Sequence, residues 1–275
     1  MKPPLLLALG LVSASAWADE PASRSADLPL WEVGVVAGGV SQQAYPGADE
    51  QVGRKLLLPY VVYRGKVLRA DDDGAGLRAI RTERFELDVS FAGSLSSGNK
   101  SLKAREGMPR LGTLVEFGPV GRWFLNGREA TDRLTFELPL RGVFEARDLR
   151  RHRGMSLEPE LSLDRRVRGG WSYGLGVGLL IGDDRLGATY YTVAPAEALP
   201  DRPAYGAKAG LIAWRLKGGV SRQLTPDLRL FAFGRVDSVA GAANRDSPLV
   251  RRTTGGSVGI GLTYTLKRSA ARATD

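Results

Sequence analysis

The chain has 275 residues, a formal net charge of +9, 35 glycines, one histidine and no cysteine. A chain without cysteine has no disulfide framework, and one histidine leaves only carboxylates to complete a zinc site, so neither a disulfide scaffold nor a zinc enzyme is expected. The arginines are scattered through strands and turns rather than gathered on one helix, which argues against a nucleic-acid partner.

The first twenty residues, MKPPLLLALGLVSASAWADE, place Lys2 before an apolar run from Leu5 to Val12 and end on Ala16-Trp17-Ala18. That order matches a secretory signal with an A-x-A cleavage site, so residues 1–18 are expected to be removed. The run is too short to span a bilayer as a helix, and no other segment supplies about 18 consecutive apolar residues. Residues 19–30 then form a short N-terminal segment.

From Trp31 onward, short apolar runs alternate with turn-rich stretches. WEVGVVAGGV leads to YPGAD, whose Tyr45, Pro46, Gly47 and Asp49 form a candidate recognition loop; the plainer reading is a turn between the first two strands. KLLLPYVVYR from Lys55 follows, and then DDDGAG from Asp71, which has the acids of a calcium loop but not its spacing and is expected to be a polar hairpin tip.

RFELDVSFAGSL, from Arg84, carries the clearest pattern. Phe85, Leu87, Val89, Phe91 and Leu95 occupy one face of a period-two segment, while Glu86, Asp88, Ser90 and Ser94 occupy the other. LGTLVEFG from Leu111 and the NGREATD turn come next. LTFELPL then sets Leu134, Phe136, Leu138 and Leu140 against Thr135, Glu137 and Arg141, with Pro139 on the polar side.

RRHRG holds the lone histidine, His152, in an expected turn. A triad with Ser156 can be drawn, but no oxyanion-hole motif or orienting acid accompanies it, so a solvated turn histidine is expected. In MSLEPELSLD, Leu157, Leu161 and Leu163 oppose Glu158, Glu160 and Asp164. Carboxylates at i and i+2 on a strand lie about 7 Å apart, a spacing open to glycoside hydrolysis. A neutralising network with Arg141 and other arginines is the simpler expectation.

WSYGLGVGLL from Trp171 alternates glycine with Leu175, Val177 and Leu179 and lacks the helix start of a nucleotide loop. IGDD is a turn signal; AGLIAWRLKGGV, the LTPD turn, LRLFAFGRV and SVGIGLTYTL complete the series. No helix-period stretch of useful length is evident. Residues 31–266 therefore form one domain, followed by a basic tail at 267–275.

Two-faced strands suit a soluble sandwich or barrel, and equally an outer-membrane barrel with its apolar face outward. Export, strand runs of about ten residues and repeated carboxylates favour the second, because basic charge on the lipid face costs about 2–4 kcal/mol at the midplane. The expected fold is an all-β transmembrane antiparallel up-and-down barrel of about 12 strands, with 10 to 14 acceptable. Glu86, Asp88, Glu137, Arg141, Glu158, Glu160 and Asp164 are the candidate lumen-facing charges.

The segments WEVGVVAGGVSQQAYPGADEQ, LLLPYVVYRG and GPVGRWFL, the run from Tyr190 to Leu211, and GAANRDSPLV together resemble the MipA/OmpV family of Gram-negative outer-membrane proteins. The resemblance implies an outer-membrane barrel without enzymatic activity or cofactor. It also implies a scaffold that links a lytic murein transglycosylase and a penicillin-binding murein synthase to the outer membrane, in contact with lipid and lipopolysaccharide. Other members are described as porin-like, stress-related or adhesive. One departure is the end TYTL followed by KRSAARATD, where barrel chains commonly finish on an aromatic residue; Tyr264 is the nearest candidate. Besides the scaffold, two alternatives stand: a narrow channel whose ion preference depends on Glu137 and Glu158, and a soluble periplasmic barrel binding an apolar ligand.

Overall fold

A computed structural model describes residues 28–65, 68–71, 74–94, 102–167 and 169–273. The expected signal at 1–18, the acids Asp72 and Asp73 and the SSGNK turn lie outside the described residues. Among the described residues thirteen strand segments form one antiparallel sheet. They are β1 (Trp31–Gln43), β2 (Gln51–Arg64), β3 (Leu68–Asp71), β4 (Gly74–Arg81), β5 (Phe85–Ser94), β6 (Leu114–Phe124) and β7 (Asp132–Glu145), followed by β8 (Asp148–Leu157), β9 (Glu160–Val167), β10 (Trp171–Gly182), β11 (Gly210–Thr225), β12 (Leu228–Ser238) and β13 (Thr254–Arg268).

The sheet closes on itself, because β13 pairs with β1 and β11 with β10. β8 and β9 share one place between β7 and β10, interrupted at Glu158-Pro159, so the thirteen segments fill twelve places around the barrel. That is the number expected from the sequence. Proline has no N–H to give the ladder, which accounts for the break. The even residues from Ser156 to Asp164 nevertheless keep the same face across it.

Alternation decides which face looks out. On β5, Glu86, Asp88 and Ser90 are buried whereas Phe91 is exposed; on β10, Tyr173, Leu175 and Val177 are exposed and Ser172 is buried; on β13, Val258, Ile260, Leu262, Tyr264 and Leu266 are exposed. A water-soluble barrel would show the reverse. Aromatic rings mark two levels of this apolar belt. Phe85, Trp123 and Phe136 touch in sequence at 5.1 and 5.7 Å between centroids, and Phe91, Phe117 and Phe144 at 6.0 and 5.0 Å. Phe85 and Phe91 are six residues apart, or about 20 Å along the strand. Paired aromatic girdles of this kind flank the lipid band of outer-membrane barrels.

The two ends differ. The first and last described residues and the turns at 82–84, 125–131 and 226–227 lie at one end. The longer connections at 44–50, 183–209 and 239–253, with the described residues 102–113, lie at the other. Short turns beside the termini face the periplasm in this class and long loops face outward. The boundary expected at residue 266 moves outward, since β13 runs through Lys267 and Arg268. Beyond it Ala271 and Ala273 are bonded to Leu30 and Leu28, and Pro29 pairs with Arg272.

One helix, α1 (Asp184–Tyr191), sits in the 183–209 loop, where no helix was expected. Asp183 caps it by accepting from the Leu186 N–H at 2.8 Å, which makes the IGDD turn signal the start of a helix. Eight residues are too few to be stable alone, so tertiary packing carries this element and its local signal is weak.

Candidate functional site

Across neighbouring antiparallel strands, residues directly opposite share a face. Following the register from strand to strand connects Glu86 to Arg122, Arg122 to Glu137, Glu137 to Glu160, Glu160 to Gly178, Gly178 to Arg215 and Arg215 to Asp237. One row thus places a belt of charges inside seven consecutive barrel places.

Arg122 is the hub of its first part. It is 4% exposed and meets Asp88 at 2.5 Å, Glu86 at 3.4 Å and Glu137 at 2.9 Å. Arg128 rises from the 125–131 turn to the other oxygen of Glu86 at 2.6 Å, its guanidinium 4.4 Å from the Phe124 ring. Arg133 meets Asp164 at 3.1 Å. In the second part, Glu158 contacts Arg141 at 3.7 Å and also pairs with Arg215; Asp237 holds Arg215 at 3.2 Å and Arg235 at 2.9 Å. Glu116 accepts from Ser156 at 3.4 Å.

Of the charges expected in the lumen, Glu86 and Asp88 are fully buried, and Glu137, Arg141, Glu158, Glu160 and Asp164 are partly buried in these ion pairs. Sequence reasoning missed Arg122, Arg128, Arg215, Lys217, Arg235 and Asp237. A phase signal existed: Arg215 and Lys217 alternate with the exposed Trp214 and Leu216.

On the other side of the lumen, from β12 to β2, rings fill the middle, and Glu32 of β1 pairs with Arg64 of β2 at 2.7 Å nearer the short-turn end. Phe233 and Phe231 lie over Gly259 and Gly261, and Tyr60 lies over Gly34, where an added Cβ would come within 2.5 to 2.6 Å of each ring. The Tyr60 hydroxyl hydrogen-bonds to Thr265 at 2.5 Å.

At the long-loop end the connections fold over the barrel mouth around their own apolar core. Tyr45, Ala48, Leu102, Leu111, Leu186, Tyr190, Tyr191, Val193, Ala242 and Leu249 are buried together. Tyr45 stacks on Tyr190 at 6.5 Å and meets Tyr191 edge-on at 6.3 Å. The loops are cross-braced through main-chain oxygens. Tyr45 donates to Leu249 at 2.8 Å, Tyr191 to Pro46 at 2.9 Å, and Arg105 to Tyr190 at 2.9 Å. Arg202, 3% exposed, donates to the oxygens of Ala104, Glu106 and Glu197.

Burial pushes the Tyr45 phenol up to about 12, and pushes Tyr190 and Tyr191 well above the usual tyrosine range. The same desolvation lowers Arg105.

Two expectations change. Tyr45, Pro46 and Gly47 are interior parts of this cap, with Gly47 at φ +88° accepting from the Arg251 and Arg252 N–H groups, and only Asp49 is exposed. A buried aromatic cannot serve as a recognition handle. His152 lies in β8 and not in a turn; its ring is 5.0 Å from Phe144, and Nδ1 is 3.0 Å from Arg185.

A closed antiparallel barrel with a lipid-facing apolar belt, two aromatic girdles and its charges turned inward defines an outer-membrane β-barrel protein. Residues 34–266 match the family described as MltA-interacting protein MipA, and the chain belongs to that family. No curated protein matches it. Solved structures similar to it include the NanC porin, at 11% identity over 85% of this chain and 100% of that one with a TM-score of 0.42. Others are outer membrane phospholipase A from Escherichia coli, at 14% over 88% and 98% with a TM-score of 0.34, and an outer membrane channel from Pseudomonas putida F1, at 14% over 90% and 100% with a TM-score of 0.34. At this level of similarity none of the three speaks to activity.

Proposed function

We propose that this protein is a non-enzymatic outer-membrane scaffold that holds murein-remodelling enzymes, a lytic transglycosylase and a penicillin-binding synthase, at the membrane. The observation that carries this reading is the loop cap. Four connections share one apolar core across the outward mouth, and beneath it Asp88, Glu158 and Asp237 are paired with arginine and Glu160 with lysine. A mouth closed by packed side chains suits a barrel used for its periplasmic surface better than one used for passage. The family description, an MltA-interacting protein, supports the same partner class.

Chemical cross-linking in intact envelopes, affinity purification of this chain and mass spectrometry of its companions test the proposal. Recovery of a murein hydrolase or synthase well above an unrelated barrel supports it. Recovery of lipopolysaccharide and assembly factors alone rejects it.

A further inference from the structure

The hairpin between β7 and β8 carries a charge concentration that neither the lumen nor the cap uses. Arg147, Arg150 and Arg151 are exposed at its tip, Arg153 lies below them, and Arg185 of α1 joins from the side through His152. Glu145 and Asp148 engage Arg151 at 3.8 and 3.3 Å, and Glu145 holds Arg153 at 2.6 Å. Among the described residues Arg147, Arg150 and Arg185 have no carboxylate partner. Three guanidinium groups therefore face outward uncompensated.

Their depth matters as much as their charge. The Phe91, Phe117 and Phe144 row extends to the His152 ring, at 5.0 Å from Phe144, and marks the outward edge of the lipid belt. Glu145 pairs with Asp148 one place beyond the Phe144–His152 pair, so Arg150 lies in the bulge just outside that edge and Arg147 in the turn above it. Met155, 41% exposed, continues the apolar surface below them, and Leu149, 63% exposed, adds an apolar side chain at their own level. A ligand that fits must present phosphate at headgroup height and acyl chains below it.

We propose that this face is a docking site for the phosphorylated glycolipid of the outer leaflet, lipid A, with Arg147, Arg150 and Arg185 binding its phosphate. Guanidinium forks match phosphate bidentately, and their charge complements a phosphomonoester. The site requires the outer-membrane location and is independent of the scaffold reading.

The full-length protein in neutral detergent tests it, with fluorescent bisphosphoryl lipid A as the probe. The variant R147Q/R150Q/R185Q is compared with R165Q/R222Q at the opposite rim, folding of each being checked by its heat-dependent gel shift. Expected is a loss of binding of at least about tenfold in the triple variant, equal to about 1.4 kcal/mol. The opposite-rim control keeps wild-type binding, and added salt weakens the wild type. If the triple variant does not fold, Arg150→Gln alone is expected to lose about threefold, within the range of one charge-assisted contact. Unchanged binding in the folded variants, an equal loss at the opposite rim, or equal binding of dephosphorylated lipid A overturns the proposal. So does full competition by millimolar inorganic phosphate, which would mark a free-anion site.

Discussion

The Glu160 carboxylate bonds the Lys217 ammonium although β10 lies between their strands. It crosses over Gly176 and Gly178, where an added Cβ would stand 2.7 Å from Glu160 Oε1 and 2.7 Å from the Pro159 carbonyl oxygen. The alternating glycines of GLGVG are therefore space for a neighbour's side chain, which the lumenal ion pair requires.

Gly176→Ala is expected to push Glu160 aside, and Gly178→Val to press on backbone that cannot yield. Overpacking of this kind costs about 1–3 kcal/mol. Urea unfolding in lipid vesicles should show the larger loss for Gly178→Val. Equal stability of both variants with the wild type would show that the strand has room after all.

Arg122→Ala leaves Asp88, Glu86 and Glu137 crowded together without their shared cation. Removing one partner of a buried ion pair destabilises by about 3–5 kcal/mol, and a compact ammonium cannot reproduce a three-way fork. Arg122→Lys should recover only part of the loss. Adding Glu86→Gln and Asp88→Asn to Arg122→Ala should recover more of it, because two of the three uncompensated charges, the most deeply buried ones, are then gone. A double substitution that rescues nothing would mean that Arg122 acts by packing alone.

The period-two pattern of RFELDVSFAGSL was enough to assign Phe91 to lipid and to separate Glu86 and Asp88 from it, because alternation is a local property. The row joining Glu86, Arg122, Glu137, Glu160, Arg215 and Asp237 was not legible. It depends on the register of strands that lie as far apart as Glu86 and Asp237, and no local pattern encodes that. The cap was hidden for the same reason. Tyr45 looks like a loop aromatic until Tyr190, Tyr191 and Leu249, contributed by distant connections, are placed around it. Only Asp183 gave a local sign of α1, and the same residue also suits a turn.

Alkaline pH should undo the cap before the barrel. The Tyr45 phenol is raised from its ordinary 10 to about 12, so between these values the folded chain holds a proton that the unfolded chain has released. Stability is then fully present below about pH 10 and falls as pH rises toward 12. Tyr190 and Tyr191, raised further, extend the loss upward. Phenolate absorbance should show these three tyrosines titrating after the exposed ones. Tyr45→Phe should flatten the dependence and cost about 1 kcal/mol at neutral pH through the lost bond to Leu249. Early titration of every tyrosine would mean that the cap opens freely.

Replacing residues 184–208 with a short glycine-serine linker removes α1 and with it Leu186, Tyr190, Tyr191 and Val193 from the shared core. Each such side chain contributes about 1.5–3 kcal/mol by burial, so the remaining loops should lose their packing while the strand ladder, closed by β10 with β11, persists. In planar bilayers the wild-type protein should pass no more current than the bare membrane, and the shortened protein should open conductance steps. Glu137→Gln and Glu158→Gln should leave the wild-type trace unchanged, yet alter ion preference once the cap is gone, because only then do ions reach those carboxylates. Large steady currents through the uncut protein, shifted by the same two substitutions, would instead assign the barrel to transport and remove the main support for a scaffold.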